Sequence, residues 1–553
     1  MIVTSLLNFF LIIVITGYSY IFKSFINKSD AKLSNLDLLY GIFFLIFISL
    51  LLNFIYPLKF FFFLIVTLGF FFFLYCLYKK KIKFNYFYYF PIIFVYIFII
   101  YRHGDNIDSP MYHHQIIKWL YNYKISLGLT NLEIRFGDNS LWFNFLSLFQ
   151  IKTEKFNSIF TLNIIPFVIL THEIFNTKKS QSYLFLNLSL TFIFFFSFLH
   201  PYRNGIILNH LHNPEVDTVA MIFFIMSFYL MLMFLDEKKK DTFYLLLLSA
   251  SICVLTKISY IGVILFPIFI LVSFYKKNYI EIIKSKVVIF VIVIFLFWFL
   301  KNFLVSGCFI FPFSLSCFNV NWSVGIDEID HYSKVVKGFA RDTRDRLSYL
   351  DFDHTINSFN WIIPWIKDYL LNTALLKISI FIVFCSSFLL IFFKMFTNFL
   401  TLNSKNINTH LILIFLLLIN LLIWFQAPEI RFGWGTIITI NCYLVSTFLF
   451  FNIFFEKINP NLYKFISLFF FLLLFSDNLN NLKKDYMMRP YTRNFNYNKI
   501  EKIYDLNKMS VYQSRDRMCY DFPEICVNTP KEEYFLSERL GYLIFTKYQK
   551  IDK

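Results

Sequence analysis

The sequence predicts an all-α polytopic membrane protein with about fourteen transmembrane helices. Three observations carry this. Of 553 residues, 58% are hydrophobic and 16% charged, with a mean hydropathy of +0.60, which leaves too little polar surface for a soluble chain of this length. Apolar windows of about 17 to 25 residues, the length that crosses a bilayer, recur along the chain. The connections between them alternate, every second one being rich in lysine.

Taken in order, the first windows centre near residues 12, 46 and 68 and make an N-terminal group, 1–85. A core, 86–475, follows with centres near 94, 165, 191, 226, 249, 267, 295, 384, 417, 442 and 470, and a polar tail, 476–553, closes the chain. The lysine-rich connections are "KSFINKSDAK", "KKKIK", "NTKKSQS", "DEKKKD", "KKNYIEIIKSK", "KMFTNFLTLNSKN" and "FEKINPNLYK". Basic loops stay on the cytoplasmic side, so this phase places both termini and every long polar segment outside. The opening "MIVTSLLNFFLIIVITGYSYIF" has no basic n-region and no small-residue cleavage site, and reads as a retained span. The net charge of +17 therefore sets topology, and no nucleic-acid partner is expected. The 79 phenylalanines read as lipid-facing filler, because hydrocarbon accepts them almost anywhere on a helix.

The long outer segments are Arg102 to Lys155, Pro201 to Val216, Ser306 to about Leu371, and the tail. Function is expected there. Cys519 and Cys526, in "CYDFPEIC", lie close together in the outer tail, where an oxidising compartment permits a disulfide; Cys308 and Cys317, in "SGCFIFPFSLSC", are a second candidate pair. Neither spacing resembles a metal site. The run "GFARDTRDRLSYLDFDHT" alternates in sign and reads as a solvated outer helix. No Walker pattern and no G-x-G-x-x-G after a strand is present, which argues against a nucleotide donor.

The stretch "RHGDNIDSPMYHHQIIKW" crowds two acids and three histidines against the end of an uncharged span. Asp105 reads as a loop residue. Asp108 stands directly before Ser109 and Pro110, a cap-and-proline helix start, after which Met111, Ile116, Trp119, Leu120 and Tyr123 share approximately one face. That pattern predicts a helix lying in the membrane interface. A carboxylate at such a boundary must be solvated or paired.

An acid at the outer end of an early core span, followed by an interfacial helix, resembles the GT-C membrane glycosyltransferases, which use polyprenyl-phosphate-linked sugars. The segment is similar to one bacterial branch of that superfamily through Asp108, Tyr112, His113, Ile117, Trp119, Gly128, Asn131, Arg135, Gly137, Asn139, Ser140 and Trp142. Asp217 in "NPEVDTVAMIFF" stands where many GT-C proteins carry a second outer-loop acid. "FLKNFLVSGCFIFP" resembles the branch's R-N-x-x-x-x-G-x-x-x-x-P element with Lys301 in place of arginine, and "CYDFPEICVNTP" a cysteine-flanked tail element with Tyr520 in place of tryptophan.

The resemblance implies a GT-C-like core, a polyprenyl-phosphate-sugar donor arriving through the membrane lipid, and a glycan or lipid acceptor at the outer face of a bacterial cytoplasmic membrane. An inverting transferase needs a carboxylate to take the acceptor's proton and cations, or a divalent metal ion such as Mg or Mn, to hold the departing phosphate. Asp108 is the candidate base. Asp217 is a candidate ligand for acceptor, sugar or ion. Arg431, in "WFQAPEIRFGWG", is a candidate phosphate clamp, with Glu429 as an alternative, purely structural partner. Lys257, in "VLTKISY", reads either as a functional lysine at depth or as an end-of-span lysine reaching outward. His113 and His114 diverge by about 100° on a helix and do not easily chelate one ion together, leaving orientation of Asp108 or sugar binding as their roles. Two other functions fit the same composition: a carrier or flippase of lipid-linked saccharide, and a surface-polysaccharide polymerase or ligase. A transporter would show matched internal halves with broken helices, and no internal repeat is seen.

Overall fold

Helices form where the apolar windows run. The structure, a computed structural model, describes residues 2–27, 32–100, 108–153, 156–176, 180–199, 207–341, 359–367, 404–450, 459–482, 499–506, 509–520, 522–528 and 534–547. In chain order the helices begin with α1 (Ile2–Asn27), α2 (Leu38–Ile55), α3 (Phe62–Tyr78), α4 (Tyr89–Ile100), α5 (His114–Asn122), α6 (Leu141–Leu148), α7 (Ile164–Glu173), α8 (Gln181–Leu199) and α9 (Asp217–Glu237). They continue with α10 (Lys240–Thr256), α11 (Leu265–Phe274), α12 (Tyr279–Ile283), α13 (Lys286–Ser306), α14 (Ile326–Arg341), α15 (Ile362–Trp365), α16 (Ser404–Trp424), α17 (Ile430–Phe450) and α18 (Pro460–Leu482). Among the described residues, six helices are long and apolar enough to cross a membrane, and further apolar helices of 10–17 residues accompany them. The window expected near residue 384 lies outside the described residues. Each of the other expected centres falls inside a described helix.

Helix α9 is the axis of the bundle. Its apolar window is 89% buried, and α8, α10 and α17 pack around it, as expected for a helix that is hydrophobic on all sides. The opposite case is α13, buried over only 33% of its window. Its exposed Ile289, Ile292, Leu296 and Leu300 form a single stripe at helical spacing. The N-terminal group α1–α3 packs on itself, and through α1 and α2 against α4, α6, α10 and α13.

Two features depart from the expectation of an all-α chain with a helix lying in the membrane interface. Helix α5 forms where predicted, preceded by a wide π turn over Ser109–His113. Its apolar Ile116, Trp119 and Leu120 are buried, and so is Gln115. What covers its polar side is the tail, which forms strands: β1 (Ile500–Leu506), β2 (Met509–Ser514) and β3 (Ile525–Val527) make a three-stranded sheet, and β4 (Tyr534–Arg539) with β5 (Tyr542–Lys547) makes a hairpin. Gln115 Nε2 donates to Tyr520 O at 3.0 Å, and Lys118 Nζ donates to Phe522 O at 2.6 Å and also to Pro523 and Glu524 carbonyls. The Tyr520 N–H reaches back to Pro110 O at 2.7 Å. Cys519 and Cys526 are joined by a disulfide that closes this element.

The hairpin docks by backbone pairing, with Leu127 N–H on Leu543 O and Phe545 N–H on Leu127 O, each at 2.9 Å. Gly128 follows at φ +65°, and a Cβ there would lie 2.4 Å from Phe545 O. Glycine alone suits both the left-handed backbone and that approach.

Candidate functional site

The end of α10 meets the starts of α9 and α17, and charged residues gather there. Asp108 occupies the N-cap of the π turn, yet its side chain makes no capping bond. The carboxylate goes instead to Arg431 on the first turn of α17, with Oδ2 accepting from Nη1 at 2.9 Å. The same nitrogen donates to Glu215 Oε1 at 3.1 Å, and Nε lies 3.6 Å from Glu429 Oε1. Glu215 is held in turn by His210, whose Nδ1 is 2.5 Å from Oε2.

The backbone that carries Glu215 is fastened from below. Trp142 Nε1 donates to Asn163 Oδ1 at 2.7 Å, and Asn163 Nδ2 donates to the carbonyls of Asn213 and Glu215, both at 2.7 Å. Trp142, a member of the sequence motif, therefore acts on the site through Asn163.

Beside this node, Lys257 ends α10 and forms an ion pair with Asp217 at the start of α9. Its ammonium sits 3.8 Å from the centre of the Phe432 ring. An acid and a ring face thus offset the lost hydration of the Lys257 ammonium. Asp108, Glu215, Asp217 and Glu429 are all electrostatic neighbours of Arg431. Four acids and two fixed cations in one partly desolvated place are costly to assemble. Such clusters are seldom kept for stability alone.

Asp108 remains an ionised carboxylate. Burial pushes its pKa upward, but the cationic Arg431, helped by Arg135, outweighs that and holds it below the usual range. Its side chain is 29% exposed, and among the described residues only Oδ2 is engaged. His113, by contrast, is pushed down to about 3 by burial, against the pull of Asp108 and Asp217. It is neutral at physiological pH and supplies no charge to an anion; its Nδ1 lies 3.3 Å from Ser109 Oγ.

His114 is buried and packs edge-on against Phe160. Lys301, also buried, donates to Asn144 Oδ1 at 2.6 Å and takes no part in the ion pairs around Arg431. Asp105 lies outside the described residues, as does most of the outer charge run beyond Arg341. The second candidate cysteine pair, Cys308 and Cys317, is disulfide-bonded.

Four groups at this end were not singled out from the sequence: His210, Glu215, Asp138 and Tyr332. Asp138 is half-buried, accepts from Tyr332 Oη at 2.5 Å, and is an electrostatic neighbour of Arg135, Lys257 and Asp108. Burial raises its pKa to about 6 despite the Tyr332 bond. Glu215 had a signal, standing two residues before Asp217 at the mouth of the same span. Tyr332 had only a packing signal, its place at helical spacing beside Ile329 and Val336 on the apolar stripe of α14, and nothing that marked it for Asp138.

Among the described residues, no group of three or more His, Cys, Asp or Glu is arranged to hold a metal ion. The nearest donors, on Asp108, Glu215 and Asp217, already accept from Arg431, His210 and Lys257.

No curated protein and no solved structure matches the chain. A family model described as a domain of unknown function (DUF8201) matches residues 1–438, a span that takes in α1–α3 and every residue of the Arg431 node. The chain belongs to that family.

Proposed function

We propose that this member of the DUF8201 family is a membrane glycosyltransferase of GT-C type. It moves a sugar from a polyprenyl-phosphate carrier to a glycan or lipid acceptor of the cell envelope, at the outer face of the bacterial cytoplasmic membrane. The observation that carries the reading is the bond between Asp108 and Arg431, 323 residues apart. It sets a candidate base and a candidate phosphate clamp within one hydrogen bond of each other.

In the proposed step, Asp108 Oδ1 takes the proton of the acceptor hydroxyl. The acceptor oxygen attacks the anomeric carbon as the bond from that carbon to the lipid phosphate breaks, and the electron pair leaves on the phosphate. Arg431 Nη2, which no described residue engages, and the ammonium of Lys257 would meet the developing charge, since fixed donors aimed at a leaving group lower the barrier. No step is routed through a metal ion.

The test compares lipid-linked sugars and surface glycans in cells carrying the gene, lacking it, or carrying Asp108→Asn. Asparagine keeps size and hydrogen bonding but not basicity, so transfer should fall on the order of 100-fold or more with membrane expression unchanged. Normal glycan in the Asp108→Asn cells would remove Asp108 as base. Identical lipid-linked sugars and glycans with and without the gene would remove glycosyl transfer.

A further inference from the structure

Next to Asp108, the segment after α5 and the loop after α13 build a second polar surface. Arg135 lies in the short turn Ile134–Gly137, and Asp138 closes that turn with its N–H on Arg135 O at 3.1 Å. The turn is pinned from one side by Phe311, since a Cβ at Gly137 would meet that ring at 2.7 Å. Phe311 belongs to the loop closed by Cys308–Cys317 and stacks on Tyr332, with centroids 5.7 Å apart and planes 27° apart. Cys308, Phe311, Val324 and Ile329 form a small core of their own, against which Ile134 and Tyr332 pack. Loop and α14 together thus deliver the Tyr332 hydroxyl to Asp138 Oδ2.

The polar groups so positioned are under-used. Arg135 has five N–H donors, yet its one hydrogen bond to a described residue runs from Nη1 to the Met111 thioether at 3.2 Å. Its guanidinium lies 5.5 Å from the Tyr112 ring centre. Asp138 keeps Oδ1 without a partner among the described residues. Arg135, Asp138, Tyr112 and Tyr332 are all half-buried. The charged groups facing them are Asp108, Glu133, Asp217 and Lys257.

We propose that Arg135, Asp138, Tyr112 and Tyr332 form a saccharide subsite beside Asp108, taking an uncharged pyranose through two neighbouring hydroxyls. A sugar hydroxyl both donates and accepts, so adjacent hydroxyls are matched by a planar donor beside a carboxylate acceptor. A pyranose also has an apolar C–H face, which suits the flanking tyrosine rings. A structural arginine would be expected to spend its donors on carbonyls or acids, and this one does not. The proposal rests on the glycosyltransferase reading for its place in catalysis, but not for the binding itself.

The experiment is saturation-transfer NMR on the detergent-solubilised full chain, with methyl glycosides of glucose, galactose, mannose and N-acetylglucosamine as probes. At least one should receive saturation from the wild-type protein. Its affinity should fall on the order of tenfold or more in Arg135→Met and in Asp138→Asn, each removing a hydrogen bond with a charged partner. Tyr332→Phe, the mildest change, should weaken binding less. Overturning results are saturation of none of the probes, or binding that survives both Arg135→Met and Asp138→Asn. Binding as described in a protein that moves no sugar in cells would sink glycosyl transfer and leave the subsite. Transfer whose KM for both substrates is unmoved by the Arg135 and Asp138 variants would sink the subsite and leave glycosyl transfer.

Discussion

At the scale of single residues, charge at the end of an apolar window was the readable signal. Asp108, Asp217, Lys257 and Arg431 stand out because an ion at a membrane boundary needs a reason to be there. Glu215 and Asp138 sit in the same segments and did not stand out, because their partners Arg431 and Tyr332 are far away in sequence. Lys301 shows the converse: its motif position suggested substrate binding, and its side chain is buried on Asn144. Asp138 also carries a pH prediction. Its pKa is raised by burial to about 6, so the folded protein holds this proton more tightly than the unfolded chain does. The associated stability is present in full below pH about 4 and is lost as pH rises through about 6. Thermal unfolding followed across that range should show a decline that Asp138→Asn flattens. Tyr332→Phe should move the decline to higher pH, because the lost hydroxyl stabilised the carboxylate. Parallel curves for all three proteins would refute the assignment.

At the scale of elements, the period of α5 was legible, and its surroundings were not. An amphipathic pattern says which residues share a face; it does not say whether the other face meets water, lipid or protein. Here Gln115 and Lys118 are consumed by carbonyls of the disulfide-closed segment, while Asn528 Nδ2 donates to Met111 O at 3.3 Å. The tail thus supplies partners to the wide turn that follows Asp108. Closing so short a loop typically contributes about 2–4 kcal/mol. Replacing Cys519 and Cys526 by serine should accordingly speed amide exchange in α5 and in the 127–131 turn, with α9 unaffected. Unchanged exchange in α5, or a mass spectrum of unreduced wild-type protein with both thiols free, would count against the tail as a brace.

For the whole molecule, the alternation of lysine-rich connections makes a prediction about sidedness. Single cysteines placed at the exposed Lys337 and Leu540 positions should react with an impermeant reagent on intact cells, and one at Lys239 only after permeabilisation; the reverse pattern would move the Arg431 node to the cytoplasmic face. Within this frame, the sequence by itself determined where helices lie and which chain segments share an end of the bundle. The reason is local: each backbone group in hydrocarbon must be bonded within its own helix, and each charge must sit near an end. Hydropathy constrains a helix's depth but leaves its rotation and its neighbours open. Only the tertiary structure decided that α9 lies at the centre, that α17 turns Arg431 toward both Asp108 and Glu215, and that α14 brings Tyr332 to Asp138. It alone also decided the strands of the tail, whose docking depends on pairing with Leu127 and on the carbonyls of Pro110 and Met111, partners that no pattern within the tail could reveal.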